Sequence, residues 1–162
     1  MNIYLIRHAD ALPLGESMAG DEERPLSDDG REQSARLAAA FKRLDTPLDR
    51  VLTSPLKRSR ETADLFAQHL GQPGLEVVDC DELAPGGSAR KLFKMLRKLN
   101  LQHVALVGHE PDLGRASARL IGSKRAHLEF AKGGVACVLS DDPPRRGTGT
   151  LVWMLTPMWL NS

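Results

Sequence analysis

Short apolar runs alternate with helical stretches along most of the chain, and this alternation restricts the fold more than any other feature. Ile3–Ile6 and Val104–Val107 are uncharged apolar runs of strand length. Because strands that are buried on both faces have this composition, both runs predict strands of a covered sheet, with Val104–Val107 near its centre. Arg50–Thr53 and Leu75–Val78 predict two further strands. Strands that alternate with helices favour a parallel sheet.

The stretches between the predicted strands carry helix start signals. Asp28 or Asp29 is placed to cap the first helix, and Glu32 can complete a capping box with Asp29. Ser54 is the expected cap of the second helix, with Pro55 at its first position. Both stretches have apolar residues at helical spacing, so we expect their apolar faces to pack against the sheet.

The second half of the chain continues this pattern and then changes it. A turn is predicted over Asp79–Gly87, a third helix over Ser88–Leu99, and a fourth helix that ends at Gly122. Three strand-like runs follow at Leu128–Phe130, Val135–Leu139 and Leu151–Leu155. A returning hairpin added to the sheet is the simplest account of the later runs. The whole pattern predicts one domain over residues 1–162, an α/β three-layer sandwich with a mostly parallel central sheet.

Composition excludes several classes of protein. The charges of the chain's 22 basic and 21 acidic residues nearly cancel, which argues against a general nucleic-acid or membrane binder. No apolar run reaches membrane-spanning length, and no basic region precedes the first strand, so neither an anchor nor a signal peptide is predicted. Cys80 and Cys137 are isolated and have no metal-ligand spacing. We therefore expect reduced, space-filling thiols and a cytoplasmic location. We also expect a monomer.

Polar residues suited to binding phosphate follow the ends of the predicted strands. Arg7, His8 and Asp10 follow the first strand, and Ser54 and Arg58 follow the second. The third strand is followed by Asp81 and Glu82, and the fourth by His109 and Glu110. Because the carboxyl ends of parallel strands share one edge of a sheet, these side chains should converge there. Two arginines, two histidines and a carboxylate at one edge favour an anionic substrate.

Four segments resemble the motifs of a known family. Leu5-Ile6-Arg7-His8-Ala9 is similar to the Arg-His signature of the histidine phosphatase superfamily, and residues 54–63 match its S-P-x-x-R-x-x-x-T-A segment. Val107-Gly108-His109 matches the motif of its second histidine, and Arg24–Gly30 resembles the R-P-L-[ST]-x-x-G stretch of its short members. Order and spacing agree along nearly the whole chain. The closest resemblance is to the SixA-type phosphohistidine phosphatases of bacteria.

Two departures from the family pattern bear on the substrate. Ala9 stands where most members carry glycine, at a position that needs a small residue near phosphate. The larger members have a long insertion over the active site, whereas here one turn and the helix Ser88–Leu99 occupy the stretch between strands three and four. The resemblance therefore implies a phosphoglycerate mutase-like fold without a lid. An open site suits a phosphorylated protein side chain, such as that of a histidine-phosphotransfer domain, better than a small sugar phosphate.

The resemblance implies a metal-independent mechanism in which His8 attacks phosphorus and forms a phosphohistidine intermediate that water hydrolyses. Arg7 and Arg58 would grip the phosphate oxygens, and a protonated His109 would add a donor, with Ser54 as a further ligand. Both Arg7 and His8 can reach one phosphate only if the chain leaves strand geometry at His8, since adjacent strand residues point to opposite faces.

Several readings remain open on the sequence alone. The proton donor is Glu82, at the end of strand three, or its rival Asp10. The same pocket could serve a sugar-phosphate phosphatase or a mutase. A hydrolase that holds a metal on His8, Asp10, His109 and Glu82 is disfavoured, because the neighbouring arginines would repel a cation. A non-catalytic phosphate-recognising module would need the arginines but not His8. No cofactor is expected under the favoured reading.

Overall fold

A mixed six-stranded sheet forms the centre of the structure, a computed structural model that describes residues 1–15, 20–45, 47–141 and 143–160. Its strands are β1 (Asn2–Arg7), β2 (Arg50–Thr53), β3 (Val77–Asp79), β4 (His103–Gly108), β5 (Val135–Ser140) and β6 (Gly149–Leu155). The strand order is β3-β2-β4-β1-β5-β6. The pairs formed among β1 to β4 are parallel, whereas β5 is antiparallel to both of its neighbours. The central position of β4 and the returning hairpin are thus confirmed.

Helices cover both faces of the sheet. The helices are α1 (Asp28–Leu44), α2 (Lys57–Leu70), α3 (Ala89–Leu99) and α4 (Asp112–Leu120). In β1, Ile3 and Leu5 pack into the core beneath α3 and α4, while Tyr4 and Ile6 pack into the core beneath α1 and α2. This alternation follows from the two-residue period of a strand. The three-layer sandwich is confirmed, and only a short 3-10 helix (Asp81–Leu83) and α3 separate β3 from β4, so no lid insertion is present there.

The start of α1 differs from the sequence prediction. Ser27, and neither Asp28 nor Asp29, is the N-cap, and its hydroxyl accepts a hydrogen bond from the backbone N–H of Gly30 at 3.1 Å. The predicted capping box between Asp29 and Glu32 was therefore wrong, since the cap lies two residues earlier. A serine hydroxyl caps as well as a carboxylate does, so the local sequence could not separate the two.

Two other boundaries also differ, and one predicted strand is absent. The helix α2 begins at Lys57, because the Ser54 hydroxyl accepts from the Leu56 N–H at 3.3 Å within a turn that precedes the helix. The strand predicted over Leu75–Val78 begins only at Val77, because Leu75 closes a turn with the carbonyl of Gln72. Leu128–Phe130 is not a strand. Its backbone polar groups bond side chains of the site instead of a neighbouring strand.

Candidate active site

Three parallel strands bring the predicted residues to one edge of the sheet. His8 follows β1, and its N–H donates to the carbonyl of Gly108 at the end of β4. Ser54 follows β2, and its N–H donates to the carbonyl of Val107. These bonds place His8 beside His109, the residue that follows β4, with ring centroids 5.0 Å apart. The convergence expected from a parallel sheet is observed.

His8 is held as a neutral imidazole. The side chain is 6% exposed, and its Nδ1 lies 2.8 Å from the carbonyl of Ala9. Because a carbonyl can only accept, Nδ1 carries the proton and the lone pair is on Nε2, which has no hydrogen-bond partner in the described part of the chain. Burial lowers the pKa of His8 to about 4. The hydrogen bond to Ala9 opposes this shift, and the charges of Arg58 and Arg7 add to it.

The backbone leaves strand geometry immediately after Arg7, as both side chains require. The Ala9 N–H donates to Thr62 Oγ1 at 3.1 Å, and the Thr62 hydroxyl in turn donates to the carbonyl of Arg58 at 2.7 Å. On the other side, Gly133, with a φ of +70°, donates its N–H to the carbonyl of His8 at 3.1 Å. Thr62 therefore ties the end of β1 to the first turn of α2.

The two arginines predicted for the site each have one buried N–H donor without a partner among the described residues. Arg7 Nη1 donates to the carbonyl of Phe130 at 2.6 Å. Arg58, only 4% exposed, donates from Nη1 to the carbonyl of Asp21 at 2.7 Å and from Nη2 to its carboxylate at 3.2 Å. The Nε atoms of Arg7 and Arg58 are buried and lack a partner among the described residues. Buried unpaired donors are rare in proteins, and a bound oxyanion would satisfy both.

His109 is also buried and neutral. Its Nε2 lies 2.8 Å from the Ser54 hydroxyl and 3.2 Å from that of Ser59. Burial, followed by the charges of His8 and Arg58, lowers the pKa of His109 to about 3. Protonation of His109 in the presence of phosphate stays a prediction. Ser54 is fully buried and bonded to His109, so in this structure it orients that ring, and its predicted contact with substrate is untested.

The two candidate acids have different surroundings. Asp10 accepts from the Ser27 hydroxyl at 2.7 Å and from Lys132 Nζ at 2.6 Å. Burial raises the pKa of Asp10, but these two bonds outweigh it and leave the pKa below its usual value. Glu82 lies on the 3-10 helix after β3, accepts from Cys80 Sγ at 3.5 Å and lines a small cavity together with His109. An ionised, doubly bonded carboxylate is a poor proton donor, which favours Glu82.

Arg24 had no predicted role in the site, although it lies within the segment Arg24–Gly30 that resembles a family motif. The Arg24 guanidinium pairs with Asp21 at 3.0 Å and donates to the carbonyl of Leu12 at 3.0 Å. Its charge lowers the pKa of both His8 and Arg58, so a third arginine lies near the same pocket. The Arg24–Gly30 motif was the only signal for it in the sequence.

Arg7 and Glu110 are linked through the backbone of Phe130, which the sequence did not predict. The Glu110 carboxylate accepts the N–H of Phe130 at 3.0 Å, and the carbonyl of the same residue accepts from Arg7. Burial raises the pKa of Glu110, although its hydrogen bonds oppose the rise. Glu110 thus fixes the peptide that orients Arg7, across 20 residues of sequence.

The described residues contain neither a cluster of metal-ligating side chains nor a membrane-spanning helix. Within residues 1–15, 20–45, 47–141 and 143–160, no three histidine, cysteine or acidic side chains cluster as a metal site would require. No helix there has both the length and the apolar character needed to cross a bilayer. Cys80 and Cys137 are buried free thiols, and burial raises the pKa of each to about 11.

Comparisons with known proteins agree with this geometry. The chain is 32% identical over 166 residues to an uncharacterized protein of Picosynechococcus sp., covering 99% of both, and 29% identical over 160 residues to the phosphohistidine phosphatase SixA of Escherichia coli, covering 97% and 94%. The structure of the protein histidine phosphatase SixA complexed with tungstate superposes with a TM-score of 0.88 at 27% identity, covering 99% of this chain and 100% of that one. The model of the histidine phosphatase superfamily (branch 1) matches residues 3–98. The chain therefore belongs to the histidine phosphatase superfamily.

Proposed function

We propose that this protein removes phosphate from a phosphorylated histidine of another protein, through a phosphohistidine intermediate on His8. The observation that carries the proposal is the combination of a neutral His8 with a free Nε2 and the two unpaired Nε–H donors of Arg7 and Arg58. A nucleophile with a lone pair at neutral pH stands beside donors suited to phosphate oxygens. A module that only binds phosphate would have no need of such a nucleophile.

The first step forms a bond from His8 Nε2 to phosphorus and breaks the bond between phosphorus and the leaving group. The leaving imidazole keeps the electron pair of that bond and takes up a proton from Glu82. Water then attacks the phosphohistidine and gives a proton back to Glu82, the bond between phosphorus and Nε2 breaks, inorganic phosphate departs, and Nε2 regains its lone pair. Arg7, Arg58 and Arg24 neutralise the equatorial oxygens in both steps, and His109 adds a donor when the bound phosphate raises its pKa.

The choice of a protein substrate rests on access to the pocket. Between β3 and β4, where a lid insertion would lie, the chain forms only the 3-10 helix and α3. A relative of nearly the same length is named a phosphohistidine phosphatase, and the structure of that kind of protein was solved with tungstate, a tetrahedral oxyanion. A histidine-phosphotransfer domain is a partner of suitable chemistry. The free buried cysteines support a reducing compartment such as the cytoplasm.

Trapping of the intermediate tests the mechanism. Wild-type protein mixed with a ³²P-labelled phosphohistidine peptide and quenched in alkali should carry label that acid removes, and His8→Ala should carry none. His69→Ala, which removes an exposed histidine at the end of α2, serves as the control and should label as wild type does. Turnover by wild type without any label on His8 would exclude the covalent mechanism.

A comparison of substrates tests the specificity. We expect kcat/KM to be highest for a phosphohistidine peptide, lower for a phosphoserine peptide and lowest for glucose 6-phosphate. A preference for the sugar phosphate would replace the proposed substrate with the small-molecule alternative while leaving the mechanism intact.

The role of Glu82 as proton donor has its own test. Imidazole is a much better leaving group than an alkoxide, so an acid matters less for phosphohistidine than for phosphoserine. Glu82→Gln should therefore lower kcat for the phosphoserine peptide more than for the phosphohistidine peptide, while Asp81→Asn, on the same 3-10 helix, lowers neither. Equal losses of kcat on both substrates would remove Glu82 from this role.

A further inference from the structure

A wide groove adjoins the phosphate pocket and follows α4 away from it. Its volume is about 980 Å³. Glu110, Pro111 and Asp112 line the end next to His109, and the rest is lined by α4, by the segment that follows it and by Arg146 of the β5–β6 connection. Gly87, Ala89 and Asp112 line both this groove and the small cavity at Glu82 and His109. The groove therefore lies next to the catalytic edge.

The groove carries a concentration of exposed cations. Arg115 and Arg119 lie one turn apart on α4, and Lys124 and Arg146 come from the two other segments that line the groove. All four side chains are exposed. Arg115 pairs with Asp112 at 3.5 Å, whereas Arg119, Lys124 and Arg146 have no carboxylate within ion-pair distance in the described part of the chain.

Two of the three acids in the lining are engaged near the catalytic end. Glu110 accepts the N–H of Phe130, and Asp112 accepts the N–H of Gly86 at 2.7 Å. Glu129 is the remaining acid and is exposed. The carboxylates thus concentrate beside the pocket, and the unpaired positive charge lies toward the end of α4.

The dimensions suit a polypeptide that continues from a phosphorylated residue in the pocket. From Asp112 to Arg119 the helix rises by about 10 Å, the length of about three extended residues. A nucleotide or another polyphosphate fits less well, because its closely spaced charges would meet Glu110, Asp112 and Glu129 as well as the cations.

We propose that this groove docks an acidic segment that neighbours the phosphorylated residue in the partner protein. The inference rests on the proposed function for the identity of the partner, but the docking itself needs no catalysis. Phosphate recognition would come from the buried arginines, and the choice among phosphoproteins from Arg115, Arg119, Lys124 and Arg146. Complementary exposed charges of this kind chiefly govern specificity and the rate of association.

A binding measurement tests the groove without any phosphate. Two fluorescein-labelled unphosphorylated peptides are compared, one rich in Asp and Glu and its matched partner with Asn and Gln, by fluorescence anisotropy at low salt. The acidic peptide should bind wild type more tightly, and Arg119→Glu combined with Arg146→Glu should weaken its binding about tenfold, since two exposed and individually weak charge interactions are reversed. Equal affinity of the two peptides for wild type would overturn the proposal.

The control is Lys42→Glu combined with Arg43→Glu, which makes the same change in charge on the opposite face of the sheet. Lys42 and Arg43 lie in the last turn of α1, as Arg119 does in the last turn of α4, so the cost to the helix is comparable. We expect this variant to bind the acidic peptide as wild type does. A loss equal to that of the groove variant would assign the effect to net charge and also overturn the proposal.

A kinetic measurement separates this inference from the proposed function. The groove variant should lower kcat/KM about tenfold for a phosphohistidine peptide with acidic flanks and leave p-nitrophenyl phosphate unaffected, because the small ester does not reach the groove. Equal loss on both substrates would overturn docking. Failure of every phosphohistidine peptide as a substrate, with acidic peptide still bound at the groove, would instead reject the proposed function alone.

Discussion

The phosphate pocket and the groove along α4 are both cationic, but they hold their charges in opposite ways. In the pocket Arg58 is 4% exposed and two of its nitrogens are fixed by Asp21. In the groove Arg119 and Arg146 are exposed and free of carboxylate partners in the described ranges. A buried donor of fixed direction can stabilise a transition state, whereas an exposed flexible cation adds only modest, salt-sensitive attraction. Under the proposed function, the pocket would therefore carry the chemistry and the groove the choice of partner.

Removal of a pocket arginine should have the largest effect and should not depend on the substrate. Arg58→Ala should lower kcat/KM about a hundredfold or more for p-nitrophenyl phosphate and for peptides alike, because a fixed charged donor is lost. Arg119→Ala, as the groove control, should change only the acidic peptide, by less than about tenfold. If Arg58→Ala were to discriminate between flanking sequences, the division of labour between the two regions would be wrong.

Removal of one side-chain hydroxyl from the pocket and one from the groove compares how each region contributes to the free energy of unfolding. Thr62→Val removes the acceptor of the buried Ala9 N–H and should lower the free energy of unfolding by about 1–3 kcal/mol, the cost of an unpaired buried donor. Ser123→Ala in the groove removes an acceptor for the N–H groups of Arg125 and Ala126, but nearby water can replace it, so about 0.5 kcal/mol or less is expected. Urea denaturation measures both, and equal losses would contradict the contrast.

The sequence predicted the pocket better than the groove for a physical reason. His8, Ser54 and His109 each follow a strand directly, so a parallel sheet alone brings them together. The groove depends on how Lys124 and Arg146 return to α4, through connections without a periodic pattern. The sequence contains these cations, but no local rule places them side by side.

The errors within the predicted elements have the same origin. Leu128–Phe130 has the composition of a strand, yet its backbone forms hydrogen bonds with the side chains of Glu110 and Arg7. Both residues are distant in sequence, so a local pattern could not predict these bonds. Arg24 follows neither a strand nor a helix start, and its position depends on a loop that brings its guanidinium to the carbonyl of Leu12, 12 residues earlier in the chain. Contacts between residues distant in sequence overrode local propensity at the first position and positioned the side chain at the second.

Acidification should destabilise the protein through the pocket histidines. The pKa of His109 is lowered from 6.5 to about 3, so its stabilising contribution is complete above pH 6.5 and is lost as the pH falls toward 3, because the unfolded chain takes up a proton first. Between pH 7 and pH 5 this loss amounts to about 2 kcal/mol for one buried histidine. In His109→Asn, the decline of the unfolding free energy over this range should be smaller by that amount.

His8→Asn provides a second test of this pH dependence, since the pKa of His8 is also lowered, to about 4. Its own loss falls in the window from pH 6.5 down to 4. Urea denaturation at pH 7, 6 and 5 measures all three proteins. Parallel declines in wild type and both variants would show that the two imidazoles are not the source of the acid sensitivity.

Glu110→Gln should give the smallest effect on turnover, and Glu110 belongs to both regions. In Glu110→Gln the amide oxygen can still accept the Phe130 N–H, so Arg7 keeps its orientation and turnover of p-nitrophenyl phosphate should stay within about twofold. The same change removes a negative charge from the lining of the groove, so an acidic peptide should bind about threefold more tightly. Glu110→Ala should gain the same affinity but lose turnover, since the Phe130 N–H then has no partner. A residue that orients Arg7 through its oxygen and repels the peptide through its charge would separate turnover from peptide affinity in this way. Equal losses of turnover in the Gln and Ala variants would instead show that the charge of Glu110 orients Arg7.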